Sequence, residues 1–142
     1  MTVPAVTLRT AATGDVDAVI AFWAVAGEGT DRHDSPDGVR RLLARDPDAL
    51  LLAEEDGRIV GSLIAGWDGW RCHLYRFAVH PDHRRRGIGR ALLDAAERRF
   101  REAGGQRADA MVLDDNDLAH HAWAAAGYTR QPHWSRWIKR LP

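Results

Sequence analysis

The chain has 142 residues, of which 45% are hydrophobic and 28% charged, a size and composition typical of one globular domain. Its 20 Lys and Arg residues balance its 20 Asp and Glu residues, which argues against a protein that binds nucleic acid or an anionic membrane through overall charge. The single cysteine, Cys72, excludes an internal disulfide and zinc sites built on paired cysteines.

The chain begins with a predicted strand and two predicted helices. The start, MTVPAVTLRT, has no charged n-region and no long apolar run, so a signal peptide is not expected. VTLRT alternates as a strand does, and apolar residues at helical spacing predict an amphipathic helix over 15–26. Ser35 and Pro36 predict the start of a second, shorter helix. The loop between the two helices carries four acidic residues, Glu28, Asp31, Asp34 and Asp37.

Strands dominate the middle of the chain. Two apolar runs flank EEDGR, whose Asp-Gly pair indicates a hairpin, and CHLYRFAV predicts the next strand. A helix is predicted from about Gly89 to Ala103, and two glycines end it. RADAMVL then predicts a strand, DNDLAHHAWAAAG a helix, and YTRQPHWSRWIKRL one or two closing strands. This order predicts an α/β protein with a mixed sheet and packed helices, in a single domain over residues 1–142.

The stretch HRRRGIGR joins the end of a predicted strand to the start of a predicted helix. A helix start offers unpaired N–H groups and partial positive charge, which suit a phosphate, and glycines allow close approach to the backbone. Four arginines add charge around a pyrophosphate: Arg84, Arg85, Arg86 and Arg90. The stretch is neither the dinucleotide motif G-x-G-x-x-G nor a P-loop.

Arg84, Gly87 and Gly89 form R-x-x-G-x-G, which resembles the acyl-CoA signature of the GNAT acetyltransferases. LYRFAVHPDHR resembles that family's central strand, and Asn116 and Ala119, followed by AGY, resemble its late helix and return strand. The resemblance covers most of the chain. It implies a splayed, mixed sheet of six to seven strands with about four helices, and acetyl-CoA as co-substrate. No metal is expected, because His80, Asp82 and His83 sit in a turn and their spacing fits no specific ligand set.

The resemblance also implies which residues hold acetyl-CoA. The central strands, about 73–79 and 107–113, would part to admit the pantetheine arm, and N–H groups from Arg85 to Arg90 would hold the pyrophosphate. The cofactor-binding set is Phe77, Ala78, Val79, Arg84, Arg85, Arg86, Gly87, Ile88, Gly89, Arg90, Asn116, Ala119 and Trp123. For a single arginine, Arg84 and Arg86 in particular, the alternative is a solvated side chain that points outward.

His73 and Tyr75 are the candidate catalytic residues. Histidine is the natural general base near neutral pH, and strand alternation places His73, Tyr75 and Phe77 on one face, with Cys72 in the core on the other. In the family the base often lies four residues before the first pantetheine-pairing residue, which here is His73. The arylalkylamine acetyltransferase branch, which this strand also resembles, carries a second histidine where this chain has Tyr75. The alternative is a structural histidine.

The acid that protonates the departing thiolate is not identified by the resemblance. Trp123 stands where many family members have a tyrosine, and an indole N–H is a donor without useful acidity. Tyr75, Tyr128 and His120 or His121 remain as substitutes, as does unassisted departure of the thiolate. Met111 replaces a glutamate of the branch that acetylates protein N-termini. Protein N-terminal and lysine acetylation are therefore disfavoured.

The acceptor is expected to be the primary amine of a small molecule. The acidic loop would attract a cationic amine, and Trp67, Asp68 and Trp70 are the candidate substrate-binding residues. The leading interpretation is a cytoplasmic, acetyl-CoA-dependent N-acetyltransferase without a nucleic-acid or membrane partner. The alternative is a non-catalytic acyl-CoA-binding sensor or partner domain of the same fold. Aromatic residues near the C-terminus make a homodimer plausible.

Overall fold

A computed structural model describes residues 5–27 and 34–142. These residues contain five strands and four α-helices, in the order β1 (Thr7–Thr10), α1 (Val16–Ala26), α2 (Pro36–Arg45), β2 (Leu50–Glu55), β3 (Arg58–Trp67), β4 (Cys72–Val79), α3 (Ile88–Ala103), β5 (Ala108–Ala110) and α4 (Asp117–Ala125). The four predicted helices are confirmed. The chain divides into two compact units, Met1–Met111 and Val112–Pro142, and the single domain over 1–142 stays a prediction. No helix in the described ranges is long and apolar enough to cross a bilayer.

The five strands form one mixed sheet in the order β1-β2-β3-β4-β5. Neighbours from β1 to β4 are antiparallel, whereas β5 runs parallel to β4. β5 pairs only through Ala108 to Ala110, and the pairing reaches no further along β4 than Leu74, although β4 continues to Val79. The mixed α/β sheet is thus confirmed.

The prediction of six to seven strands is wrong, because no strand forms among residues 128–142. The apolar side chains there do not alternate with period two. Apart from the adjacent pair Trp137 and Ile138 they lie three or four residues apart, and all are exposed, so they offer no strand face to bury: Trp134, Trp137, Ile138 and Leu141. The predicted strand RADAMVL also shortens to its three residues Ala108–Ala110.

Helices cover both faces of the sheet. On one face, Trp23 of α1 donates from Nε1 to Ser62 Oγ at 2.9 Å, within the core that joins α1 and α2 to the sheet. On the other face, a Cβ at Gly61 would lie 3.0 Å from side-chain atoms of Ile88 and Leu92 of α3. Because Gly61 and Ser62 are adjacent on β3, α1 and α3 pack on opposite faces.

β4 contains a bulge at Arg76. Ala78 pairs with Ser62 and Tyr75 pairs with Ile64, so two residues of β4 stand opposite one residue of β3. The φ of Arg76 is +50°, in the left-handed region that residues with a side chain seldom occupy. The extra residue shifts the alternation, so that Tyr75 and Ala78 both lie on the face of α1.

Because of the bulge, Phe77 lies on the opposite face of the sheet from the one predicted for it. The Phe77 ring lies on the α3 side, where a Cβ at Gly89 would come within 3.0 Å of its Cζ. His73 and Tyr75 lie on the other face, because they pair with Gly66 and Ile64 of β3. The prediction that His73, Tyr75 and Phe77 share a face is therefore wrong, since it assumed unbroken alternation.

Three contacts hold the strained residue Arg76. Its carbonyl oxygen accepts a hydrogen bond from Ser62 Oγ at 2.8 Å. Its guanidinium pairs with the Asp34 carboxylate at 2.6 Å and lies 5.7 Å from the centre of the Trp23 ring. Strain of this kind persists where the surroundings fix the backbone, as they do here.

An ion-pair cluster fixes the start of the sheet. The Arg9 guanidinium lies 2.7 Å from the Asp15 carboxylate and 2.6 Å from that of Glu54. Asp15 also accepts from the Ala12 backbone N–H at 2.7 Å. Hydrogen bonds from Arg9 hold the pKa of Asp15 at about 2, below its ordinary value of 3.8.

The variant Asp15→Asn is expected to lose about 1 kcal/mol of unfolding free energy at pH 6, a value reduced for solvent screening. Because the native pKa is the lower one, the charged carboxylate stabilises the fold above about pH 4, and this contribution disappears as the pH falls towards 2. Urea unfolding at pH 6 and at pH 2.5 measures it. Asp37→Asn is the control, since that carboxylate pairs with Arg40 while 81% exposed; equal losses in both variants would contradict the prediction.

Candidate functional site

The turn between β4 and α3 places a helix start beside the end of β4. Arg85 and Gly87 have φ values of +63° and +79°, so the chain turns sharply before α3 begins at Ile88. The first N–H groups of an α-helix have no partner within the helix and carry partial positive charge. The predicted anion-binding segment thus has the backbone form that suits a pyrophosphate.

The two glycines of the motif have different structural roles. Gly87 has a left-handed φ and an open surrounding, with no atom within 4 Å of a Cβ placed there, so it serves the backbone turn. Gly89 is instead packed closely against Phe77, and a Cβ there would also lie 3.6 Å from Val79. Gly89 therefore allows α3 to approach β4, which differs from the expectation that both glycines serve the approach of a ligand.

The arginines of the turn differ in their surroundings. Arg86 lies 2.8 Å from the Glu55 carboxylate, which is only 13% exposed. Arg90 lies 3.3 Å from Asp94 one helical turn later, while Arg84 and Arg85 are exposed. Arg86 is therefore directed to the β2–β3 hairpin.

The ring of His73 is held by a carboxylate on the neighbouring strand. His73 and Asp109 are direct partners in the parallel pairing of β4 and β5, and Nδ1 lies 2.6 Å from Asp109 Oδ1. The His73 side chain is 30% exposed and that of Asp109 is 55% exposed. The imidazole is thus fixed in place and still reached by solvent.

Tyr75 lies next to His73 on the same face, with the two ring centres 6.0 Å apart. Burial raises the pKa of the Tyr75 hydroxyl, and the negative charges of Asp109 and Asp68 raise it further. The hydroxyl therefore keeps its proton at neutral pH. This arrangement favours a hydrogen-bond donor over an acid that gives its proton away.

A cavity of about 450 Å³ lies between the β3–β4 turn, the end of α3 and β5. Its lining includes Trp67, Trp70, Arg71, Arg107 and Asp109. The guanidinium of Arg71 covers the Trp70 ring at 5.1 Å, so one face of that indole is already occupied. The cavity therefore brings Trp67 and Trp70 to the carboxylate that holds His73, and it adds two cationic groups.

Asp68 stabilises the β3–β4 turn. Its Oδ1 accepts from the backbone N–H groups of Trp70 at 2.8 Å and Arg71 at 2.6 Å, and these bonds lower the pKa of the carboxyl. Its role in the turn competes with the predicted role as an amine anchor. Cys72 is buried at 2% exposure, and burial raises the pKa of its thiol, so the core position predicted for it is confirmed.

In the second unit, the motif N-x-x-A is a helix cap. The Asn116 side chain accepts a hydrogen bond from the backbone N–H of Ala119 at 3.0 Å, and this bond caps the N-terminus of α4. Trp123 is the buried residue of α4, and its ring meets that of Tyr128 edge to face at 4.9 Å. Asn116, Ala119 and Trp123 thus have structural roles within this unit. Their contacts with a cofactor stay a prediction.

The acidic loop is only partly described. Asp34 is engaged by Arg76 and Asp37 by Arg40, whereas Glu28 and Asp31 lie outside the described residues. Over the described ranges, no three His, Cys, Asp or Glu side chains come together as a metal site would require. The absence of a metal stays a prediction.

Sequence reasoning missed two features of this site. Asp109 is a polar residue between two alanines inside a predicted strand, which was a local signal, but its contact with His73 depends on the register of β4 and β5. The bulge at Arg76 left no comparable signal, because arginine has no preference for positive φ.

Comparison with known proteins gives consistent results. A sequence model described as the Acetyltransferase (GNAT) family matches residues 17–128. An acetyltransferase of Pectobacterium atrosepticum is 40% identical over 103 residues, covering 72% of this chain and 73% of that one. The structure of yncA from Salmonella typhimurium with its cofactor acetyl-CoA has a TM-score of 0.72 and 26% identity, covering 88% of this chain and 80% of that one. An aminoglycoside N-acetyltransferase in complex with CoA has a TM-score of 0.78 and 16% identity, covering 99% and 98%, and shows the fold alone.

Proposed function

Because the chain belongs to the GNAT acetyltransferase family and is an N-acetyltransferase, we propose that it moves an acetyl group from acetyl-CoA to the primary amine of a small molecule. The observation that carries the proposal is the order of features along β4. A histidine held through Nδ1 is followed by a bulge, and the strand then leads to a helix start suited to pyrophosphate.

Acetyl-CoA would bind along this line of features. The pyrophosphate would rest on the N–H groups around Gly87 to Arg90, with Arg84 and Arg85 near it. The pantetheine arm would follow β4 from Val79 towards the bulge, beyond the point at which the pairing with β5 ends. The solved structure of yncA with acetyl-CoA supports this choice of co-substrate.

Acetyl transfer would be direct. The amine nitrogen attacks the thioester carbonyl carbon, the C–N bond forms, and the C–S bond breaks with its electron pair on sulfur. Nε2 of His73 takes the proton that the nitrogen loses, directly or through a water. Tyr75 would donate a hydrogen bond to the negative charge that develops on the departing sulfur. Its hydroxyl has a raised pKa and keeps its proton, because a thiol with a pKa of about 8.5 is the stronger acid.

The acceptor would occupy the cavity beside Asp109. The ring of Trp67 suits an ammonium group, and the Asp109 carboxylate, which holds Nδ1 of His73, adds negative charge to the cavity. Arg71 and Arg107 suit an acidic group on the same molecule. We therefore expect a small amine that also carries a carboxylate or phosphate, ahead of a polycation.

The test is acetyl-CoA consumption with a panel of amino acids, amino sugars, polyamines, arylalkylamines and a lysine peptide, followed by thiol release and mass spectrometry of the product. The expected result is CoA release that depends on an amine and matches the acetylated product one to one. CoA binding without turnover of any amine would contradict the proposal and favour a sensor domain. Preferred turnover of the peptide would contradict the small-molecule acceptor.

Replacement of Gly87 by alanine is expected to weaken CoA binding about tenfold. A left-handed φ costs a residue with a side chain about 1–2 kcal/mol, and relief of that strain would move the N–H donors of the turn. Isothermal titration with CoA measures the effect. Gly104→Ala is the matched control, because Gly104 has a φ of +96° and open surroundings at the far end of α3. Equal CoA affinity in the two variants would show that the Gly87 turn does not hold the cofactor.

A further inference from the structure

We propose that Asp109 is a positioning residue that fixes the tautomer of His73, with the proton on Nδ1 and the lone pair of Nε2 facing the amine. The inference rests on the proposed function. Its structural basis is the 2.6 Å contact between His73 Nδ1 and Asp109 Oδ1 across the β4–β5 pairing.

The contact assigns the tautomer by elimination. An ionised carboxylate accepts hydrogen bonds and donates none, so the nitrogen facing Asp109 must carry a proton. In the neutral imidazole the other nitrogen, Nε2, is then the acceptor. A general base needs that lone pair, and a histidine with the opposite tautomer would present an N–H to the amine instead.

The same contact is a weak source of stability. Its two side chains are 30% and 55% exposed, and pairs so exposed to solvent contribute little to stability. Aspartate is also an unfavourable residue within a strand, and here it occupies the centre of the shortest strand of the sheet. The stabilising effect of the pair is small, whereas its effect on the orientation of the ring is direct.

Two features keep the pair suited to its role. The Asp109 carboxylate is 55% exposed and lines the cavity. The Tyr75 ring lies 6.0 Å from the His73 ring on the same face. The ring is thus oriented through Nδ1 by a group that also lines the proposed acceptor cavity.

The first test uses no turnover. In ¹⁵N NMR spectra of the histidine rings of the wild-type protein at high pH, Nδ1 of His73 is expected as the protonated nitrogen and Nε2 as the unprotonated one. In Asp109→Asn this preference is expected to disappear, because an amide can donate to Nδ1 as well as accept from it. A wild-type His73 with its proton on Nε2 would overturn the proposal, even if the variant failed to fold.

The second test is kinetic. Asp109→Asn is expected to lower kcat about 10- to 100-fold with little change in the KM for acetyl-CoA, and Asp109→Glu is expected to restore part of the rate. The control Asp56→Asn, in the exposed β2–β3 turn, is expected to retain wild-type kcat. An unchanged kcat in Asp109→Asn overturns the positioning role while the proposed function stands. A wild-type protein that acetylates no amine overturns the proposed function, and the NMR result then still decides the tautomer.

Discussion

Replacement of His73 by alanine is expected to lower kcat for acetyl transfer by about 10²- to 10⁴-fold at pH 7, the usual contribution of a positioned general base. The KM for acetyl-CoA is expected to stay within a few-fold of wild type, because the ring lies on the face of β4 opposite to Phe77 and α3. The loss should shrink as the pH rises, since more of the amine then arrives without its proton. Steady-state kinetics from pH 6.5 to 9.5 measure both effects.

His133→Ala is the matched control, because His133 lies in the exposed C-terminal segment next to Trp134. It is expected to retain the wild-type rate at every pH. A loss below about threefold in His73→Ala would exclude the histidine as the base. A loss that is the same at every pH would indicate a role in binding or packing instead of proton transfer.

The second large effect is expected on stability, from Gly105→Ala. A Cβ at this position would overlap Sγ of Cys72 and lie 3.1 Å from the carbonyl oxygen of Phe100. Because Cys72 is buried and Gly105 follows the end of α3, neither atom has room to withdraw. We expect a loss of about 1–3 kcal/mol in unfolding free energy, the usual cost of overpacking.

A double-mutant cycle identifies the cause of that loss. Cys72→Ala removes the sulfur atom, so the double variant is expected to be more stable than the sum of the two single losses. Gly14→Ala is the control, since a Cβ there meets no atom within 4 Å. Urea unfolding measures all four variants. Strict additivity would show that the sulfur is not the obstacle and would place the strain at the Phe100 carbonyl.

Local patterns in the sequence predicted the helices and the sharp glycine-containing turn before α3, because each depends on neighbouring residues. Ser35 caps α2 through the Gly38 N–H, and Gly104 ends α3 with a left-handed φ, as the spacing of apolar residues and glycines indicated. His73 was likewise selected from the strand that carries it and from the family resemblance, and its catalytic role stays a prediction.

The features that the sequence did not predict depend on pairing between distant segments. The contact between His73 and Asp109 requires the register of β4 and β5, which α3 separates in the chain. The bulge at Arg76 depends on Ser62, Asp34 and Trp23, none of them close in sequence. One or two closing strands were expected over YTRQPHWSRWIKRL, although the spacing of Trp134, Trp137 and Ile138 is not that of a strand.

Because β5 pairs only briefly with β4, the contact between Asp109 and His73 can open locally. β2, β3 and β4 are joined along most of their lengths, whereas β5 is joined to β4 by three residue pairs. Segments with few backbone hydrogen bonds open locally at lower free energy than the rest of a fold, and their amides exchange with solvent sooner. Asp109 can therefore leave His73 without global unfolding. The fraction of molecules with a correctly oriented imidazole then depends on the local equilibrium of one short strand.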